Sequence, residues 1–289
     1  MKISDIFNQK ERTFSFEFFP PKDEISAIDF GVNAGQLMKL SPSFVSVTYG
    51  AGGSNSERTF ALVDYLQNKT GLTVMAHYTC VGAPKAKVID DIKYLKSKNI
   101  DNLMLLRGDP PKGVAGFVAH PDGFAHASEL IECVSSEFKN TFAIGAGCYP
   151  EKHLEADTFE QDMLYLKKKT DAGVNFLITQ MFFDNDVYFN FVDRARKAGI
   201  HCRIIPGIIP ITSYSQIDRF FKLSGTKIPN ILIDRLETVK DNPAKILRTG
   251  IDYAIDQCRK LIEGGAPGIH FYTLNKSGAT VEIFETLLK

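Results

Sequence analysis

The chain has 289 residues, 44% hydrophobic and 24% charged, an ordinary globular composition that can bury a full core without disulfides or metals. Its 34 basic residues balance 34 acidic ones, which argues against a nucleic-acid or membrane-surface binder while leaving room for a local basic pocket. The 5 cysteines share no CxxC spacing, Met1–Thr13 has no apolar signal core, and no apolar run reaches the roughly 20 residues of a membrane span, so a cytoplasmic protein is expected.

In chain order, short apolar, β-branched or aromatic runs alternate with longer segments of helical period, the mark of a parallel sheet. The first four strands are predicted at 13–19 (TFSFEFF), 44–50 (FVSVTYG), 72–80 (LTVMAHYTC) and 102–108 (NLMLLRG). Four more follow at 142–149 (FAIGAGCY), 176–183 (FLITQMFF), 203–210 (RIIPGIIP) and 268–274 (GIHFYTL). Between them, Val88, Ile89, Ile92 and Leu95 form one helical stripe, and Val187, Phe191, Ala195 and Ala198 another that ends at Gly199. Asp171-Ala172-Gly173 closes the helix before strand six in the same way. Strand seven is the least regular, because Pro206 and Pro210 interrupt it, and 225–265 holds more helix than one unit needs.

No linker, low-complexity segment or short repeat divides the chain, so residues 1–289 are expected to form one α/β domain, a (β/α)8 TIM barrel. An open doubly wound sheet is the alternative, but the G-x-G-x-x-G expected after its first strand is absent. Chemistry in such barrels sits at the C-terminal strand ends, and polar residues do cluster there. Glu17 interrupts a run of phenylalanines; Thr48 and Tyr49 end strand two, His77 and Thr79 strand three, Arg107 and Asp109 strand four, Tyr149 strand five and Gln180 strand six.

Alternation puts Ser15, Glu17 and Phe19 on one face of the first strand and Phe14, Phe16 and Phe18 on the other. With the phenylalanines against the helices, the carboxyl enters the barrel mouth, where desolvation favours the protonated form that a general acid needs. The alternative is a buried glutamate paired with Arg or Lys. Arg107-Gly108-Asp109-Pro110-Pro111 places opposite charges at the mouth, either for a ligand or as a salt-bridged turn, and opens a Gly- and Pro-rich stretch to Gly123. Thr48 to Ser54 lacks the Lys-Ser/Thr of a phosphate loop and reads as turn chemistry. Lys167-Lys168-Lys169 is either a solvated helix end or a phosphate contact. His77 and His153 have no metal-ligand spacing, so no metal is expected.

Together these segments resemble the 5,10-methylenetetrahydrofolate reductase family, in its short bacterial catalytic-domain form, over residues 13–287. The markers are Phe14 to Lys22, Val47 to Ser54, Leu105-Leu106-Arg107-Gly108-Asp109, Tyr149-Pro150-Glu151-x-His153 and Ile178-Thr179-Gln180. Ile205-Pro206-Gly207-Ile208 with Pro210, and His270 to Asn275, complete the set. The resemblance implies FAD across the barrel mouth, NADH or NADPH as donor, ping-pong hydride transfer to a folate, and a homo-oligomer that supplies methyl groups for methionine synthesis.

By position, Glu17 matches the family's general acid and Asp109 the carboxylate that contacts the pterin. Thr48, Tyr49, His77, Arg107, Gly108, Asp109, His126, Ala127, Tyr149, His153, Ala156, Asp162, Lys168 and Lys169 fall on flavin-binding positions. Glu17, Asp109, Gln180, Gln216, Phe220 and Lys276 fall on substrate-binding ones, with Phe220 the stacking aromatic. His126 stands where the family has Tyr, Lys276 where it has Arg, and 113–123 is longer than the family pattern. No eukaryotic-type regulatory domain is expected after Lys289. A flavin- and folate-binding subunit fed by a partner protein, and a proline-dehydrogenase-like barrel oxidoreductase, are the rival readings.

Overall fold

Alternation along β1 (Thr13–Phe18) sends its phenylalanines outward as expected: Phe14 packs edge-on against Phe284 at 5.1 Å and Phe18 against Phe30 at 5.4 Å. The computed structural model describes residues 1–50, 56–109 and 117–288. Before β1 lies α1 (Ile3–Gln9); after it come α2 (Glu24–Met38), β2 (Phe44–Val47), α3 (Ser56–Lys69), β3 (Val74–Thr79), α4 (Lys85–Ser97) and β4 (Asn102–Leu106). The chain continues through α5 (Ala127–Glu137), β5 (Ala143–Cys148), α6 (Phe159–Asp171), β6 (Phe176–Thr179), α7 (Asn185–Lys197), β7 (Arg203–Ile205) and β8 (Gly207–Ile208). It ends with α8 (Gln216–Ser224), α9 (Asn230–Glu237), α10 (Pro243–Glu263), β9 (Gly268–Tyr272) and α11 (Gly278–Leu287).

All pairings are parallel, in the order β7-β6-β5-β4-β3-β2-β1-β9-β8. The seventh expected strand is split at Pro206, so the two ends of this sheet are one chain segment. Proline has no N–H to continue the ladder. At that point the segment changes neighbours: Gly207 N–H donates to Thr179 Oγ1 at 2.9 Å, while the Pro206 carbonyl accepts from His270 N–H at 2.9 Å. The result is a closed barrel of eight strand positions, the expected (β/α)8 fold. The helix expected in 225–265, more than one unit needs, is α9 and the whole of α10.

Two cores follow from closure. The larger lies between strands and helices and holds the stripes of α4 and α7 through Val88, Ile92, Leu95, Phe191 and Ala195. Gly173 and Gly199 take the positive φ, 122° and 77°, expected of them at helix ends. The smaller fills the lower lumen with Phe44, Met75, Met104, Phe176, Ile178 and Ile205, capped by Ile3 and Phe7 of α1. That short helix is pinned as a floor: Ile3 N–H donates to Asn102 Oδ1 at 2.7 Å, and the Arg203 guanidinium donates to the Phe7 carbonyl at 2.7 Å. A third cluster, under α8 to α10, gathers Met181, Phe183, Ile209, Ile211 and Phe220.

The closure point tolerates no side chain. A Cβ on Gly207 would lie 2.4 Å from the Thr179 carbonyl oxygen and 2.5 Å from the Tyr272 ring. Gly207→Ala should therefore cost about 1–3 kcal/mol of stability. Gly31→Ala on α2, where a Cβ meets nothing within 4 Å, should instead add about 0.5–1 kcal/mol. Equal thermal midpoints for the two variants would contradict this account of the seam.

Candidate functional site

The upper lumen is built from inward-facing polar residues of β1, β2, β3 and β9. Glu17 is only 7% exposed. Its Oε2 lies 3.6 Å from His77 Nε2 and 3.9 Å from His270 Nε2, and among the described residues neither Arg nor Lys pairs with it. One layer below, Ser15 Oγ sits 2.8 Å from His270 Nδ1, and Ser46 Oγ 3.5 Å from His270 Nε2. The His270 ring stacks on Phe44 at 6.1 Å, where the polar set meets the apolar floor.

Burial pushes the His77 pKa down to about 4, against the opposing pull of Glu17. The imidazole is therefore neutral at pH 7 and gives the carboxyl no full countercharge. His77 Nε2 and Thr79 Oγ1, both on the inward face of β3, are buried with no hydrogen-bond partner. Buried polar atoms are rarely left so. The two atoms give this wall hydrogen-bonding capacity that the described residues do not use.

Around the rim, β4 to α6 bring together Arg107, Gly108, Asp109, Tyr149, His153, Asp162 and Lys169. Arg107 forms a two-pronged pair with Glu155, both contacts 2.6 Å, rather than a turn closed by Asp109, and it lies over the Phe117 ring at 4.7 Å. Gly108 has φ 90° and packs directly on Thr79, while Asp109 beyond it is exposed. Tyr149 is pushed up to about 12 by burial and by the carboxylates of Asp109 and Asp162. His153 meets its ring edge-on at 4.5 Å and donates its backbone N–H to Asp162 Oδ2 at 3.0 Å. Burial lowers the pKa of His153.

The three lysines separate. Lys167 pairs with Asp171 on the surface, Lys168 is exposed, and only Lys169 turns inward to donate to the Gly147 carbonyl at 2.6 Å. Desolvation lowers the Lys169 pKa, against the pull of Cys148 and Asp162. The rim thus offers an inward-turned, partly buried lysine, and the lumen a buried carboxyl.

The family model described as methylenetetrahydrofolate reductase matches residues 2–288. The chain belongs to the methylenetetrahydrofolate reductase family. It is 33% identical to the 5,10-methylenetetrahydrofolate reductase of Pectobacterium carotovorum subsp. carotovorum, over 94% of this chain and 89% of that protein. It is 37% identical to methylenetetrahydrofolate reductase (NADH) 1 of Arabidopsis thaliana, over 99% of this chain but 50% of that protein. The chain thus spans about half the length of several curated relatives it matches. Among solved structures, a Clostridium thermocellum protein described as binding two copies of 5-methyl-5,6,7,8-tetrahydrofolic acid superposes with TM-score 0.68 at 15% identity, covering 98% of this chain and 96% of that one. That likeness shows the fold.

The other positions implied by the reductase resemblance lie in more varied surroundings. Tyr49 faces outward, 5.1 Å from Tyr78 in the layer between strands and helices. His126 is exposed as the residue before α5, where its backbone N–H donates to Glu129 Oε2 at 3.3 Å, and Ala127 is half-buried behind it. Ala156 is buried beside His153. The Gln180 side chain is half-buried, its Oε1 accepting from Met181 N–H at 2.9 Å. Gln216 Oε1 is taken by the N–H groups of Thr212 and Ser213, at 2.6 and 3.0 Å. Phe220 is 3% exposed and stacked on Phe183, whereas its neighbour Phe221 is 60% exposed. Lys276 is exposed on the turn after β9. Residues 51–55 of the glycine turn and 110–116 of the long loop lie outside the described residues.

In the sequence His270 and Tyr272 stand only as family markers, and Glu155 is not among the expected site residues. Alternation along β9 held the signal for the first two, since Ile269 and Phe271 pack outward and leave His270 and Tyr272 to the lumen. Nothing local announced Glu155.

The depressed His77 pKa sets a pH test. Its value of about 4 in the folded chain lies below the ordinary 6.5, so the unfolded chain binds the proton more readily between these values. Stability from this group is present above about pH 6.5 and falls as pH drops towards 4, by at most about 1.4 kcal/mol per unit. His77→Gln should flatten that dependence. Parallel unfolding curves for parent and variant from pH 7 to 4.5 would contradict it.

Proposed function

We propose that this chain reduces 5,10-methylenetetrahydrofolate to 5-methyltetrahydrofolate, using FAD at the barrel mouth and NADH or NADPH as electron donor. The carrying observation is Glu17, a buried carboxyl at the C-terminal end of a barrel strand, beside a neutral His77 and with no cationic partner. The unpartnered His77 Nε2 and Thr79 Oγ1 suit a polar ring system, and the inward-turned Lys169 suits a phosphate. Thr48, Arg107, Gly108, Tyr149, His153, Ala156 and Asp162 would hold the same group from neighbouring strand ends. FAD, when bound, supplies a two-electron carrier between the nicotinamide donor and the folate, in separate half-reactions.

The chain's own part is proton management. Glu17 donates its proton to a nitrogen of the substrate's five-membered ring. The carbon–nitrogen bond then breaks with its electron pair going to nitrogen, leaving the one-carbon unit as an iminium able to accept hydride. Asp109, exposed at the end of β4, faces the positive charge that develops. Gln180 offers its free amide N–H groups to the pterin, and Lys276 meets the glutamate carboxylate as a single charge rather than a two-pronged fork. The apolar floor beneath keeps bulk water from competing for the proton.

Two measurements test this reading. With FAD-reconstituted protein, Glu17→Gln should leave NADH-driven bleaching of the flavin intact and slow the return of colour with methylenetetrahydrofolate by about 10²–10⁴-fold. A folate half-reaction within a few-fold of the parent would make Glu17 a structural carboxylate. Lys169→Ala should weaken FAD retention by roughly ten- to a hundredfold, with little change in the thermal midpoint of the FAD-free protein. Unchanged FAD affinity would return Lys169 to a purely structural contact with Gly147.

A further inference from the structure

We propose that Asn275, together with Thr273, is a positioning residue that fixes the backbone carrying the Glu17 carboxyl; the inference rests on the folate reading above. The ladder between β1 and β9 ends at the Glu17–Tyr272 pair. Beyond it, side chains replace the main chain. Thr273 Oγ1 donates to the Glu17 carbonyl at 2.6 Å. Asn275 then holds both polar groups of Phe19: its Nδ2 donates to the Phe19 carbonyl and its Oδ1 accepts from the Phe19 N–H, each at 2.8 Å. From the opposite side, Thr48 N–H donates to the Phe18 carbonyl at 2.9 Å.

Three consecutive residues, Glu17 to Phe19, are thus anchored through their backbones from both neighbouring strands. The Glu17 carboxyl, among the described residues, accepts no hydrogen bond and meets only two imidazoles at 3.6 and 3.9 Å. A carboxylate kept for the fold is anchored by its oxygens. Here the chain is anchored and the oxygens are left free.

The turn that makes this possible is strained. Leu274 and Asn275 have φ of 50° and 59°, the left-handed region that residues other than glycine rarely adopt. Asn accepts it better than most, and the turn is tied by Asn275 N–H donating to Thr273 Oγ1 at 3.2 Å. It brings the Asn275 amide back alongside Phe19, where it takes over from the ladder. Such backbone persists where its surroundings over-determine it, and it concentrates at functional sites. A general acid must stay within hydrogen-bond reach of one nitrogen, and a misplacement of about 1 Å costs on the order of a hundredfold.

The test uses FAD-loaded protein and both half-reactions. Asn275→Gly keeps the left-handed turn and deletes the amide, and Asn275→Asp keeps the acceptor for Phe19 N–H and loses the donor. Asn275→Gly should slow the folate half-reaction roughly 10- to 100-fold, in kcat rather than KM, with the NADH half-reaction within about twofold of the parent. Asn275→Asp should recover part of the loss, and Thr273→Val, deleting the other donor, should reproduce the pattern. In a Glu17→Gln background, Asn275→Gly should cost nothing further, because the group it positions is already gone. An undiminished folate step in Asn275→Gly, an equal loss in both half-reactions, or an additive loss on Glu17→Gln would overturn the proposal. If Glu17→Gln alone leaves the folate step intact, the reading of Glu17 falls and the proposal with it; if Glu17→Gln is crippled and the Asn275 and Thr273 variants are not, the proposal falls alone.

Discussion

A closed barrel forces the inward side chains of eight strands to share one narrow, water-poor lumen, and the cost of burying polar groups there orders the molecule from bottom to top. At the floor the lumen is apolar, filled by Phe44, Met75, Met104 and Phe176 and sealed by α1. In the middle, polarity appears only as a satisfied set: Ser15, Ser46 and His270 serve one another. At the top, Glu17 meets the imidazoles of His77 and His270 with neither Arg nor Lys beside it among the described residues, and His77 Nε2 and Thr79 Oγ1 are buried without hydrogen-bond partners. The unpaired polar groups of Glu17's layer thus lie at the C-terminal strand ends, where chemistry in such barrels sits.

Much of this was legible in the sequence, for one physical reason. The period of two along β1 assigns Glu17 to the lumen as soon as its phenylalanines are given to the helices, and Phe14 and Phe18 do pack on helical aromatics. The rule that polar residues gather at strand ends located Thr48, His77, Arg107 and Tyr149 before any contact was known. Pro206 was visible as an irregularity, but its use was not. That the proline marks where one segment leaves β6 and joins β9 depends on two strands, one before it and one well after it in the chain, that no local pattern links.

What was hidden shares a common character. In α1, Ile3, Ile6 and Phe7 make too short a stripe for periodicity to register, and its role as a floor depends on Asn102 and Arg203. Arg107 finds Glu155 across two loops, a pairing that no spacing encodes. Adjacent Phe220 and Phe221 look alike in sequence, yet one is buried and the other exposed. Within the lysine run, each residue is turned about 100° from the next around the helix axis, so only Lys169 reaches the barrel. Residue type and period reveal facing; they do not reveal which distant segment supplies the partner.

The seam between β1 and β9 bears on how the chain is made. Ser15 and His270, in contact across it, are 255 positions apart. On a ribosome adding about 5–20 residues per second, the first strand therefore waits on the order of tens of seconds for its second neighbour. Throughout that time it offers an open edge to any other nascent chain, with Phe14 and Phe16 on one face still lacking α11. The floor helix waits too, since Arg203, which grips it, emerges late. Biogenesis of this barrel is thus a problem of holding its beginning safe until its end arrives, and crowding or a stalled ribosome would strike first at the strand that carries Glu17.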